Sequence, residues 1–94
     1  MYGTVMIGRS DASVDTWRAL IRQWRSEIGD AAGFVDERIL VGADGRLVMT
    51  VRFRDEQAYK ALADNPAQDS WWTTQVAPLL SGEPEWIDGD WKDI

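Results

Sequence analysis

The sequence predicts an α+β fold of order β, α, β, β, α, β, in which four antiparallel strands form one sheet and the helices lie on one face of it. Three observations carry this prediction. Val14 to Ile28 places apolar residues at a 3.6-residue period. Two apolar, strand-like runs flank Gly42-Ala43-Asp44-Gly45. Asn65-Pro66 interrupts a later helical stretch that precedes a last strand candidate.

Each element follows from its residues. Tyr2 to Arg9 is short, apolar and partly β-branched, which suits a strand. Ser10-Asp11-Ala12-Ser13 is turn chemistry, with Ser13 the preferred cap of the first helix. Trp17, Leu20, Ile21, Trp24 and Ile28 then share one helical face, and Gly29 supplies the stop. Phe34 to Val41 and Arg46 to Phe53 are paired strands, joined through Asp44-Gly45, residues that tolerate positive φ. Asp55 caps a second helix over Glu56 to Asp64. Asn65 caps a third, with Pro66 at its first position, where a missing N–H costs nothing. Trp72, Val76, Leu79 and Leu80 give that helix an apolar face, and Ser81-Gly82 ends it. Glu85 to Trp91 is the fourth strand. The order is the split βαβ, or ferredoxin-like, arrangement.

Ninety-four residues fit a single domain spanning 1–94. The net charge is −6, and residues 48–94 carry nine acids against four basic residues. Such a chain repels polyanions, so nucleic acid and anionic membranes are not expected partners. With no cysteine and no histidine, disulfides, thiolate metal sites, a thiol nucleophile and the commonest haem ligand are excluded. No cofactor or metal is expected. MYGTVMIGRSD lacks the layout of a secretory signal, and no apolar run approaches the ~20 residues of a bilayer span. The expected location is the cytoplasm.

A strand buried on one face alternates apolar and polar residues. Val5-Met6-Ile7, Ile39-Leu40-Val41 and Leu47-Val48-Met49 do not. Both sheet faces are therefore expected to be covered, one by helices and the other by the sheet of a second copy, in a closed homodimer.

The stretch VRFRDEQAYKALADNPAQDSWWTTQVAPLLSGEPEW resembles the second half of antibiotic biosynthesis monooxygenase-type domains, and GFV with its hairpin resembles the first. The resemblance spans the chain and implies a dimeric α+β barrel. It implies one of several activities: cofactor-free oxygenation of polycyclic aromatics, haem degradation, isomerisation or none. Haem-degrading relatives hold iron through a histidine, absent here, and Leu62 stands where many relatives carry histidine. The cofactor-free oxygenases are associated with Trp, Tyr, Asn and Arg in a pocket between helices and sheet. Trp71 or Trp72, Tyr59, Asn65 and Arg52 lie in the corresponding region.

Each candidate has a functional and a structural reading. Trp71 and Trp72 point about 100° apart on a helix, so both cannot sit centrally on one apolar face; either one of them lines a pocket and stacks on an aromatic ligand, or one fills the core and the other packs at the dimer or helix–helix boundary. Arg52 shares a strand face with Val48 and Thr50; it is either an anion stabiliser or half of an ion pair. Asp36, on the face of Arg38, is a base if it faces inward and otherwise a cross-strand partner. Tyr59 holds a substrate oxygen or packs its ring. Asn65 binds substrate or caps a helix. Arg18, Arg22 and Arg25 form a basic stripe, for an anion or for neighbouring acids. The C-terminal acids, with Trp86 and Trp91, suggest an arm over a partner or a loose end. Two functions follow: a cofactor-independent monooxygenase of a phenolic polycycle, or a non-catalytic dimeric binding or structural domain.

Overall fold

A computed structural model describes residues 1–27 and 31–94. Strand β1 (Tyr2–Arg9) leads to helix α1 (Val14–Glu27), β2 (Phe34–Val41) and β3 (Arg46–Phe53). Helices α2 (Glu56–Ala63) and α3 (Pro66–Trp71) follow, and β4 (Glu85–Asp90) completes the sheet. The expected ends of the first helix at Ile28 and Gly29 lie outside the described residues. The sheet order is β2-β3-β1-β4, antiparallel throughout, the ferredoxin-like topology the sequence predicts. No described helix is long and apolar enough to cross a membrane.

The caps are where the sequence puts them. The Thr16 amide donates to Ser13 Oγ (3.2 Å), the Ala58 amide to Asp55 Oδ1 (2.8 Å) and the Ala67 amide to Asn65 Oδ1 (2.9 Å). Each satisfies a helix-end donor that would otherwise have no partner.

Two details differ from expectation. The hairpin needs positive φ only at Gly45 (φ +85°), and Asp44 keeps negative φ. Gly45 N–H bonds Gly42 O (3.2 Å) and Gly42 N–H bonds Arg46 O (2.7 Å), so the loop is a four-residue turn closed by a left-handed glycine. Asp44 instead uses its carboxylate, accepting from the Arg46 amide (3.1 Å) and from Arg46 Nε (2.7 Å). The third helix is not one regular helix either. After Trp71 it widens into a π-helical turn over Trp72–Val76 and tightens into a 3₁₀ turn over Ala77–Leu79. Pro78 gives the reason: it has no N–H for Thr74 O, and its ring crowds that carbonyl in a regular α-helix.

The helices cover one sheet face. Met6, Leu47, Met49 and Phe53 from the sheet meet Trp17, Leu20 and Trp24 of α1, Leu62 of α2, Trp71 of α3 and Val76. Trp17 and Phe53 are fully buried, each stabilising the fold by roughly 1.5–3 kcal/mol through burial. Strand phase decides what reaches this face. Thr4 and Met6 pair with Val51 and Met49, and on the other side with Asp88 and Trp86. Val5, Ile7, Val48, Thr50 and Ile87 fall on the opposite, outer face.

Candidate functional site

Between the helices and the inner sheet face lies a cleft of about 320 Å³. Its size sits at the low end of the range for small-molecule sites. Met6, Met49, Val51 and Leu62 make its apolar lining. Four indoles form its walls: Trp24 from α1, Trp71 and Trp72 from the third helical segment, and Trp86 from β4. Trp24 and Trp71 lie 6.3 Å apart, and Trp72 and Trp86 4.8 Å apart, all tilted. Trp71 is buried, Trp72 half-buried and Trp86 exposed, so the walls run from the interior to the mouth.

Trp71 and Trp72 therefore both line the cleft, where the sequence assigns it at most one of them. Both residues keep ordinary α-helical dihedrals, so their rings diverge by about 100° and take different walls, Trp71 beside Trp24 and Trp72 beside Trp86. Trp24 was legible only as core. Its ring does pack on Phe34 (5.3 Å), but its Nε1 donates to Gln68 Oε1 (2.7 Å) at the cleft wall.

The polar groups come from five elements, β1, β2, α2, α3 and β4. Tyr59 of α2 turns its hydroxyl toward Asp88 Oδ1 (3.5 Å) and the Thr4 hydroxyl. Burial raises the Tyr59 pKa, so its hydroxyl stays protonated and able to donate. Asp69 and Asp88 sit at the exposed rim. Glu37 of β2 is the buried acid. Its side chain is 7% exposed, and Arg25 Nε donates to Glu37 Oε1 (2.9 Å). Burial raises the Glu37 pKa against the opposing pull of Arg25.

Arg52 and Asp36 are not in the cleft. They lie on the outer face, where Arg52 Nε and Nη2 hold the two Asp36 oxygens at 2.8 and 2.5 Å. That hydrogen bond lowers the Asp36 pKa and raises that of Arg52, the reverse of what a base at Asp36 requires. The cause is a bulge in β2 between Phe34 and Asp36. Phe34 packs inward against Trp24 and Phe53, and regular alternation would carry Asp36 inward after it. The extra residue, Val35, reverses the phase and brings Glu37 in instead. Asn65 is also away from the cleft; its side chain is committed to capping α3. Of the basic stripe, Arg18 pairs with Asp15 (3.1 Å), Arg25 with Glu37, and Arg22 is exposed. Trp91 folds over Gly3, and its amide donates to Met1 O (2.8 Å), tying the chain after β4 back to the sheet.

At the level of sequence, no family model and no curated protein matches the chain. Its architecture does match solved structures over nearly the whole length. SnoaB, a cofactor-independent oxygenase from Streptomyces nogalater, superposes with a TM-score of 0.78 at 14% identity, over 99% of this chain and 94% of SnoaB. The chain has the antibiotic biosynthesis monooxygenase fold. A crystal structure of an antibiotic biosynthesis monooxygenase gives a TM-score of 0.73 at 10% identity, over 99% of this chain and 100% of that one. The ActVA-Orf6 monooxygenase of Streptomyces coelicolor, in complex with nanaomycin D, gives 0.72 at 17% identity, over 99% and 88%. At these identities the likeness concerns the fold, and the residues of the cleft must argue for themselves.

Proposed function

We propose that this protein binds a flat, electron-rich phenolic polycycle in its tryptophan cleft and oxygenates it with dioxygen without a cofactor, as a homodimer. The observation that carries the reading is the cleft itself: four indoles around about 320 Å³, between the helices and the sheet. Indole faces stack on fused aromatic rings, and a flat ring seated between them would displace water from the apolar inner walls. An ionised phenol can reduce dioxygen directly, so the protein need only bind, deprotonate and shield it. Tyr59, Thr4 and Gln68 supply hydrogen-bonding groups that orient such a ring. Two structures of the same fold agree in kind: SnoaB is a cofactor-independent oxygenase, and ActVA-Orf6 binds nanaomycin D.

A second reading, a non-catalytic aromatic-binding domain, is favoured by one observation: Arg52 and Asp36 are paired with each other outside the cleft. A panel of hydroxylated polycyclic aromatics separates the two. Oxygen uptake, with quinone formed in proportion, supports the oxygenase. Tryptophan quenching without oxygen uptake supports the binder. Trp72→Ala is expected to weaken binding about tenfold while leaving the fold intact, because this ring is half-buried. If Trp72→Ala lowers stability alone and no compound in the panel consumes oxygen, the oxygenase reading is wrong.

A further inference from the structure

Glu37 is the only carboxylate among the described residues that is both buried and part of the cleft lining. The other two lining acids, Asp69 and Asp88, are exposed at the rim. Burying a carboxylate is costly, and a glutamate at this position needs a reason. An ion pair with Arg25 is part of one, but Arg25 is half in water, with 53% of its side chain exposed. The pair therefore has a wet end on the helix side and a dry end facing the indoles.

We propose that Glu37 is the proton acceptor of the oxygenation, with Arg25 as the residue that positions it and balances the charge that develops. This rests on the oxygenase reading above. For 1,5-dihydroxynaphthalene, the Glu37 carboxylate takes the hydroxyl proton. The ring carbon para to that oxygen then transfers electrons to dioxygen and forms a C–O bond, and the peroxide takes the proton back from Glu37. Glu37 next removes the hydrogen on that carbon as the O–O bond breaks. The departing hydroxide takes this proton and leaves as water. The products are 5-hydroxy-1,4-naphthoquinone and one water; the ring loses four electrons and dioxygen gains four. At each moment when Glu37 is neutral, the Arg25 guanidinium behind it is no longer compensated, and its charge favours the anionic ring.

The charged and titratable groups facing Glu37 across the cleft are Asp69 from α3, Asp88 from β4 and Tyr59 from α2, with Arg25 from α1. Burial raises the pH at which Glu37 becomes a base, and Arg25, which alone of these groups holds it directly, opposes that rise.

The test is turnover of 1,5-dihydroxynaphthalene by the full chain, followed by oxygen uptake and quinone absorbance across pH. Glu37→Gln keeps an acceptor for Arg25 and removes the base. It is expected to bind the naphthalenediol as the wild type does, by tryptophan quenching, and to lose at least about 100-fold in kcat/KM. In the wild type, kcat/KM falls as pH drops through the raised Glu37 pKa; in Glu37→Gln that acid limb is gone. Arg25→Gln is expected to move the limb to higher pH, a shift that a merely structural pair would not cause. Should Glu37→Gln fail to fold, the limb in Arg25→Gln decides: displaced, it supports the assignment; unmoved, it overturns it. Wild-type turnover with undiminished turnover in Glu37→Gln overturns the role of Glu37 and leaves the oxygenase standing. A wild type inert toward the whole phenolic panel overturns both.

Discussion

Asp36 and Glu37 are adjacent carboxylates with opposite fates, and each pairs with an arginine. Asp36 sits on the outer face with both oxygens held by Arg52, and its pKa is lowered by that hydrogen bond. Glu37 sits inside with one carboxylate oxygen held by Arg25, and burial raises its pKa. The signs give opposite pH dependences for stability. The Asp36 contribution is present above the ordinary aspartate value and is lost as pH falls through the lowered one. The Glu37 contribution is present below the ordinary glutamate value and is lost as pH rises through the raised one. Asp36→Asn is therefore expected to lower the melting temperature at neutral pH and to converge on the wild type in strong acid. Glu37→Gln should match the wild type near pH 4 and equal or exceed it at pH 7. Thermal melts over that range check both; a Glu37→Gln loss that grows with pH would mean that the ionised carboxylate stabilises the fold. The same pair shows what a sequence conceals. For Arg52 the sequence shows the face it shares with Val48 and Thr50, opposite Leu47, Met49, Val51 and Phe53, and leaves open whether it stabilises an anion or pairs with an acid; the structure shows the ion pair, on the outer face. Which of Asp36 and Glu37 turns inward was not legible, because one bulged residue, Val35, decides it.

At the scale of elements, caps, hairpin and strand order were legible because each rests on local chemistry: Ser13, Asp55 and Asn65 as acceptors, Gly45 in a turn, Pro66 at a helix start. The third helix was legible in extent and not in form, since one proline, Pro78, turns its end into π and 3₁₀ turns. The glycines make testable distinctions. A Cβ on Gly3 would stand 1.9 Å from Val51 O and 2.9 Å from Trp91 Nε1, whereas one on Gly89 meets nothing within 4 Å. Gly3 and Gly89 are paired across β1 and β4, so the two share a sheet context. Gly3→Ala is expected to cost about 3 kcal/mol or more, because backbone must move, and Gly89→Ala less than about 1 kcal/mol. At Gly45 the space is open and the strain is in φ, so Gly45→Ala should cost about 1 kcal/mol. Urea denaturation ranks the three; equal losses at Gly3 and Gly89 would show that the strand accommodates a side chain at both.

At the scale of the molecule, the helices leave one sheet face without cover. Leu40 on the β2 edge is 67% exposed and Ile87 on the β4 edge 59%, with Val5, Ile7 and Val48 half-buried between them. Apolar residues thus cross the sheet from edge to edge, and a contiguous exposed apolar surface of this kind marks a contact site. By strand phase this face carries Arg9, Arg38, Arg46 and Arg52 against Asp36 and Glu85, so the −6 of the chain is not concentrated there. A second copy related by a two-fold axis is the economical cover, because it meets a like surface without stacking the chain's net negative charge. Light scattering at tens of micromolar is expected to give twice the 10.6 kDa chain mass. The double variant Leu40→Glu, Ile87→Lys, which buries charge only in the assembled form, is expected to give the single mass with its helical circular dichroism intact. A wild type of single mass would remove the dimer. The cleft opens on the other side of the sheet, so the dissociated variant should still bind the naphthalenediol. Loss of binding on dissociation would mean instead that the partner completes the site, and that the two faces of this sheet do not act independently.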